Sequence, residues 1–119
     1  MSSHPVNLAV RFLLELSILA ALAYWGWTEH EGAWRFIWAV TLPLAAAGLW
    51  GTFRVPGDPG DAPVPVPGGV RLLLELALFG AEVALLAAAG RPGWAMGLGA
   101  VIVVHYAVSY DRVAWLLRR

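Results

Sequence analysis

Hydrophobic residues fill four long blocks of the chain, over about residues 6–27, 33–51, 70–89 and 93–113. Each block has roughly the 18 to 22 residues that a helix needs to span a hydrocarbon core. The blocks are rich in Leu and Ala and do not alternate apolar with polar positions, so helices are favoured over barrel strands. The pattern therefore predicts an all-α membrane protein, a single transmembrane domain over residues 1–119 with four transmembrane helices.

The segments between the blocks predict how the helices are connected. Short turns over residues 28–32 and 90–93 join the blocks in pairs, and the second turn has glycine and proline where a helix stops. The pairs are separated by the loop 52–69, TFRVPGDPGDAPVPVPGG, which holds five of the eight prolines of the chain. A segment of this composition is expected to be extended and stiff. Two helical hairpins are therefore expected.

The composition indicates a surface that faces lipid. Hydrophobic residues make up 60% of the chain and charged residues 13%, whereas a soluble domain carries about a quarter charged residues. The net charge is zero, and no basic run of the kind that binds nucleic acid is present. The chain has no cysteine, which excludes disulfides and thiol chemistry. We therefore expect the lipid bilayer as a partner and no nucleic acid.

The arginines predict the orientation of the chain in the membrane. The side with the N-terminus, the loop 52–69 and the C-terminus carries most of them: Arg11, Arg54, Arg71, Arg112, Arg118 and Arg119. The opposite side carries Arg35 and Arg91. The expected location is the inner membrane, multi-pass, with N- and C-termini cytoplasmic. A cleaved signal peptide is disfavoured, because Arg11 and Glu15 interrupt the first apolar block.

A short repeat links the two halves of the chain. VRFLLEL over residues 10–16 recurs as VRLLLEL over residues 70–76, and Trp34 matches Trp94 at the same offset of sixty. A unit with two crossings returns the chain to its starting side, so the two copies would be parallel. The fold class expected is thus four transmembrane helices as two parallel-repeat helical hairpins.

Several of these motifs together resemble a known family. The paired RxLLEL helix starts, the loop FRVPGDPG…PVPVPG and the His105–Tyr106 pair are similar to the YrdB-like family of small four-helix bacterial membrane proteins, whose function is uncharacterised. The resemblance extends over nearly the whole chain. It implies a fold and a membrane location, and it supplies no reaction.

Each repeat places an arginine and a glutamate one helical turn apart, Arg11 with Glu15 and Arg71 with Glu75. Arg before Glu is the weaker order for a pair within one helix. This order favours pairs between the repeats, Arg11 with Glu75 and Arg71 with Glu15, as an ion-paired clasp. The alternative is a site for a lipid headgroup or a small anion that uses the two arginines.

Glu82 and His105 are expected deeper in the membrane. Glu82 lies seven residues after Glu75 and on the same helical face. His105 falls between their depths, with Tyr106 beside it and Ser109 four residues on. His105 is expected either to hydrogen-bond a carboxylate across the bundle or to form a proton-titratable cluster with glutamate that lines a cavity. Metal binding is the weakest hypothesis, because no HxxxH or ExxH pair occurs.

These residues form a hypothetical polar seam and define the expected functions. The seam comprises Arg11, Glu15, Arg71, Glu75, Glu82, His105, Tyr106 and Ser109. A structural or accessory membrane component, as a homo-oligomer, is the favoured hypothesis. The alternative is a proton-linked transporter, or a membrane protein that binds a small molecule or lipid, and uses Glu82, His105 and the Arg/Glu pairs. An enzyme is least favoured, and no catalytic residue, metal or cofactor is expected, since no nucleophile–base pair or cofactor motif occurs.

Overall fold

The computed structural model describes residues 4–57 and 62–119. Its elements, in chain order, are α1 (Pro5–Thr28), α2 (Ala33–Thr52), β1 (Phe53–Arg54), β2 (Val64–Pro65), α3 (Gly68–Ala88), α4 (Pro92–Val108) and α5 (Tyr110–Leu117). The all-α class is confirmed for these residues. Residues 1–3 and 58–61 lie outside the description, and the second range includes the Asp-Pro-Gly of the loop motif.

The helix starts follow from local chemistry. α1 begins at Pro5, whose missing N–H costs nothing at a helix start, and His4 Nδ1 accepts a hydrogen bond from the Val6 N–H at 3.2 Å. Gly32 and Gly90 have φ of 61° and 80°, a left-handed conformation that glycine adopts without strain. These two glycines form the turns of the hairpins α1–α2 and α3–α4, within which the helices pack most extensively.

The last helical block is broken at Ser109. The sequence predicts one helix over residues 93–113, whereas the structure has α4 and α5 with an angle of 71° between them. The bend turns α5 onto the start of α3, where Leu116 is completely buried and its backbone lies against Gly68. Burial of the apolar face of α5 against α3 is the physical reason for the break.

The loop between the hairpins is attached to the helix ends. β1 and β2 pair in parallel with Phe53 opposite Val64, and the Val66 N–H donates to the Arg54 carbonyl at 2.9 Å. Val55 is buried. The loop therefore folds back on itself and brings the end of α2 close to the start of α3.

Apolar side chains occupy both the centre and the outside of the molecule. The central cluster contains Leu14, Ile18, Leu22, Ala46, Phe79 and Ile102, from all four long helices. Large side chains such as Leu13, Leu44 and Val103 are exposed. α1 and α2 are long and apolar enough to cross a membrane, and α4 and α5 meet the same criterion when taken together. The structure is therefore consistent with a membrane protein.

Candidate functional site

Three ionisable residues of α3 are buried inside the protein. Arg71, Glu75 and Glu82 are 0%, 1% and 0% exposed. Spacings of four and seven residues place all three on one face of the helix. A buried charge is costly without a partner. The hydrogen bonds and ion pairs of these three residues therefore determine how their burial is stabilised.

Glu75 accepts hydrogen bonds at both carboxylate oxygens. Oε1 accepts from Tyr106 Oη at 2.7 Å and from Arg112 Nη1 at 3.0 Å. Oε2 accepts from Arg71 Nε and from Arg112 Nη2, both at 2.8 Å. Arg11 Nη2 lies 3.7 Å from Oε2. A single carboxylate thus links α1, α3, α4 and α5, and its bidentate pair with Arg112 is the strongest kind of ion pair.

Arg71 extends this network to α2. Its Nη1 donates to the carbonyls of Trp50 and Phe53, the latter at 3.0 Å. Its guanidinium lies 4.4 Å from the centroid of the Trp50 ring. A cation at the end of α2 satisfies carbonyls that the helix leaves without partners. Arg71 therefore connects α3 to the end of α2 and to the first strand of the loop.

The structure forms one of the two ion pairs that the sequence predicts between the repeats. Arg11 approaches Glu75, and it also donates from Nε to Glu15 Oε1 at 3.3 Å. The predicted pair of Arg71 with Glu15 is wrong, because Arg71 directs Nε to Glu75 in its own helix. Glu15 is 28% exposed. The clasp is therefore asymmetric, with its centre on Glu75 of α3.

His105 and Ser109 belong to a separate hydrogen-bonded chain between α1 and α4. Asn7 Nδ2 donates to Ser109 Oγ at 2.8 Å, and Asn7 Oδ1 lies 3.1 Å from His105 Nδ1. His105 and Ser109 are both buried. The prediction that His105 hydrogen-bonds a carboxylate is wrong, because the Asn7 amide takes that place. Tyr106, on the next face of α4, is the residue that reaches Glu75.

Glu82 lacks the partners that Glu75 has. Among the described residues, no group is in hydrogen-bonding geometry with either of its carboxyl oxygens. The polar side chain that interacts with it is Ser17 of α1. Ser17 Oγ donates to the Leu14 carbonyl of its own helix at 2.6 Å. Glu82 thus lies apart from both polar networks.

Sequence reasoning about the polar seam missed Asn7 and Arg112. Arg112 follows His105 and Ser109 at helical spacings of seven and three, a signal that could have placed it on the same side of the chain. Asn7 is the one amide side chain of the sequence and stands at the start of an apolar block. A polar group in that position requires a hydrogen-bond partner inside the protein.

The Glu75 carboxylate is fully occupied by hydrogen bonds within the protein. An ionised carboxylate has about four acceptor positions, and Glu75 uses them for the hydrogen bonds from Arg71, Tyr106 and Arg112. No group of three potential metal ligands occurs among residues 4–57 and 62–119. The Glu75 network therefore has no free acceptor for a ligand or a proton in this conformation.

Comparisons with known proteins agree with the family resemblance. A family model described as "Protein of unknown function (DUF2568)" matches residues 9–103. The uncharacterized protein YrdB of Bacillus subtilis (strain 168) is 33% identical over 119 residues, which cover 98% of this chain and 97% of YrdB. None of the solved structures matches the chain. The chain therefore belongs to the YrdB-like family of proteins of unknown function.

Proposed function

We propose that this protein is a multi-pass inner-membrane protein whose α1, α2, α3 and α4 each cross the bilayer. α3 differs from α1 and α2 in that it carries three ionisable residues. All three are buried within the protein. Its outward residues Val70, Leu73 and Leu76 are apolar and exposed, as a helix surrounded by lipid requires. α4 has 17 residues, enough for a helix of about 25 Å.

The two hairpins are, in this proposal, parallel copies of one unit. Both copies form the same contact between positions four residues apart, Arg11 with Glu15 at 3.3 Å and Arg71 with Glu75 at 2.8 Å. The arginine-rich ends favour a cytoplasmic location for both termini and for the loop between the hairpins. The copies differ in burial, since the pair in α1 is partly exposed and the pair in α3 is enclosed.

The role we propose for the protein is that of a structural or accessory membrane component. The observation that carries this proposal is the hydrogen-bonding of Glu75, whose acceptor positions are occupied by groups from three helices. An anion site on Arg11 and Arg71 has less support, because Arg71 directs Nε to Glu75 and Nη1 to two backbone carbonyls, and only Nη2 is left without a described partner. The polar seam serves to hold the helices together.

Substitution of Glu75 tests this role. Glu75→Gln leaves Arg71 and Arg112 without their buried counter-charge, and loss of one partner of a buried pair costs about 3–5 kcal/mol. Glu15→Gln is the matched control, since its pair is partly exposed and is expected to contribute about 1 kcal/mol or less. Thermal unfolding in mild detergent should show a large drop in Tm for Glu75→Gln and a small one for Glu15→Gln. Equal drops for the two variants would contradict the proposal.

A second candidate function is favoured by Glu82. Its carboxyl is completely buried and has no described group in hydrogen-bonding geometry. A polar group in this state lowers the stability of a protein, and ionisable residues within a membrane often mark the route of a proton or substrate. Proton-linked transport, or the binding of a small molecule, would give Glu82 a role that packing does not.

A further inference from the structure

A crevice of about 530 Å³ opens between α1 and α4, at the end of the molecule where the hairpins turn. Its walls are apolar and are formed by Ala20 and Ala21 of α1, Leu86 of α3 and Leu98 of α4. At its inner end the Ser17 hydroxyl is satisfied by a backbone carbonyl of its own helix. The crevice therefore offers an apolar surface without a buried donor that needs a partner, as a hydrocarbon chain requires.

A fixed cation stands at the rim of this crevice. Arg91 Nε donates to Tyr24 Oη at 2.8 Å, and both residues line the opening. Among the described residues, no carboxylate pairs with Arg91, and its guanidinium is exposed. Trp94 completes the rim with an indole that is 69% exposed. An arginine with Tyr and Trp is the usual composition of a membrane–water interface.

We propose that this crevice binds an anionic phospholipid, with the phosphate on Arg91 and an acyl chain along the walls. The inference rests on the membrane crossing of α1 and α4 proposed above. The charge of Arg91 favours an anionic headgroup. Its guanidinium can pair with phosphate oxygens, and no described carboxylate neutralises it. A net negative headgroup gains more from this cation than a zwitterionic one does. The shape and the apolar lining of the crevice favour an acyl chain.

Lipid binding to purified protein tests the proposal. The protein in mild detergent receives equal amounts of phosphatidylglycerol and phosphatidylcholine, and native mass spectrometry measures how much of each it retains. Arg91→Gln should reduce the preference for phosphatidylglycerol about fivefold, the effect of one interfacial cation. Arg35→Gln is the matched control. Arg35 is half-buried at the hairpin turns, where it contacts Trp27, and it does not line this crevice.

A second pair of variants tests the crevice itself. Ala20 is exposed and lines the crevice, so Ala20→Phe fills it without entering the protein core. Ala45→Phe places the same side chain on an exposed position of α2, away from the crevice. We expect retained lipid to fall for Ala20→Phe and to stay unchanged for Ala45→Phe.

Several results would overturn the proposal. They are equal retention of both lipids by the unaltered protein, equal losses for Arg91→Gln and Arg35→Gln, and unchanged retention by Ala20→Phe. Binding of inorganic phosphate with no retained lipid would overturn it as well. The Glu75→Gln comparison measures stability, and the Arg91→Gln comparison measures lipid preference. The structural role of Glu75 and the lipid site can therefore fail independently of each other.

Discussion

At the scale of single residues, two glutamates of α3 illustrate how differently a buried carboxyl can be treated. Glu75 has partners on every side, and Glu82, two turns further along the same face, has none in hydrogen-bonding geometry among the described residues. The cost of burying Glu75 is offset by the ion pairs that it forms. The cost of burying Glu82 is not offset in this way, which makes it the residue to examine for an activity.

Proton movement through Glu82 is measurable in liposomes. If Glu82 carries protons, the reconstituted protein should dissipate an imposed pH gradient, reported by a pH-sensitive dye inside the vesicles. Glu82→Gln has nearly the same shape and cannot ionise, so it should abolish the flux. Glu31→Gln, an exposed carboxyl in the turn between α1 and α2, should leave the flux unchanged. A gradient as stable with the unaltered protein as in empty liposomes would eliminate this second candidate function.

The sequence predicts the identity of the site residues better than their partners. The burial of Glu75, Glu82 and His105 agrees with helical spacing, because spacing fixes which residues share a face. Their partners depend on how each helix is rotated about its axis, and apolar blocks rich in Leu and Ala contain little information on rotation. This is why the hydrogen bonds of His105 to Asn7 and of Glu75 to Arg112 could not be predicted.

At the scale of elements, α5 and the start of α3 are fitted to one another. The Leu116 backbone lies so close to Gly68 that an added Cβ would overlap its carbonyl. Gly69 has no atom within 4 Å of the same position. The sequence has both glycines at the end of a loop, where either would be expected simply to end an extended segment. The close approach depends on the bend at Ser109, which an unbroken apolar block does not predict.

Alanine substitutions of the two glycines test this contact. Gly68→Ala forces α5 away from α3 and should lower the stability by about 1–3 kcal/mol, as overpacking does. Gly69→Ala adds the same methyl group to the same helical turn in open space, and alanine favours the helix, so its stability should be equal or higher. Thermal unfolding of both variants in detergent measures the difference. A Gly68→Ala variant as stable as Gly69→Ala would show that α5 does not pack there.

At the scale of the whole molecule, the four apolar blocks correspond to four long helices and two hairpins. Hydrophobic block length and the turn residues were sufficient for this, since both act locally along the chain. The sequence gives less direct evidence on which of these helices cross a membrane. α3 carries three ionisable residues, and their burial becomes visible only once the helices are assembled.

Cysteine labelling in cells determines the crossings. The chain has no cysteine of its own, so single cysteines report one position each. Glu31→Cys, in the first hairpin turn, and Gly93→Cys, at the start of α4, should react with a membrane-impermeant maleimide in intact cells. Val64→Cys and Arg119→Cys should react only after the membrane is opened. Labelling of Val64→Cys in intact cells together with Gly93→Cys would mean that α3 does not cross.

The position of Arg112 in the chain has a consequence for biosynthesis. Arg112 follows Glu75 by 37 residues, so α3 is synthesised before the bidentate partner of Glu75 exists. During that interval the earlier arginines, Arg71 and Arg11, are the cations within reach of the Glu75 carboxylate. The contacts of Arg71 and Arg11 can thus join the first three helices before translation of α4 and α5 completes the network. The order of synthesis matches the order in which the charge on Glu75 acquires its partners.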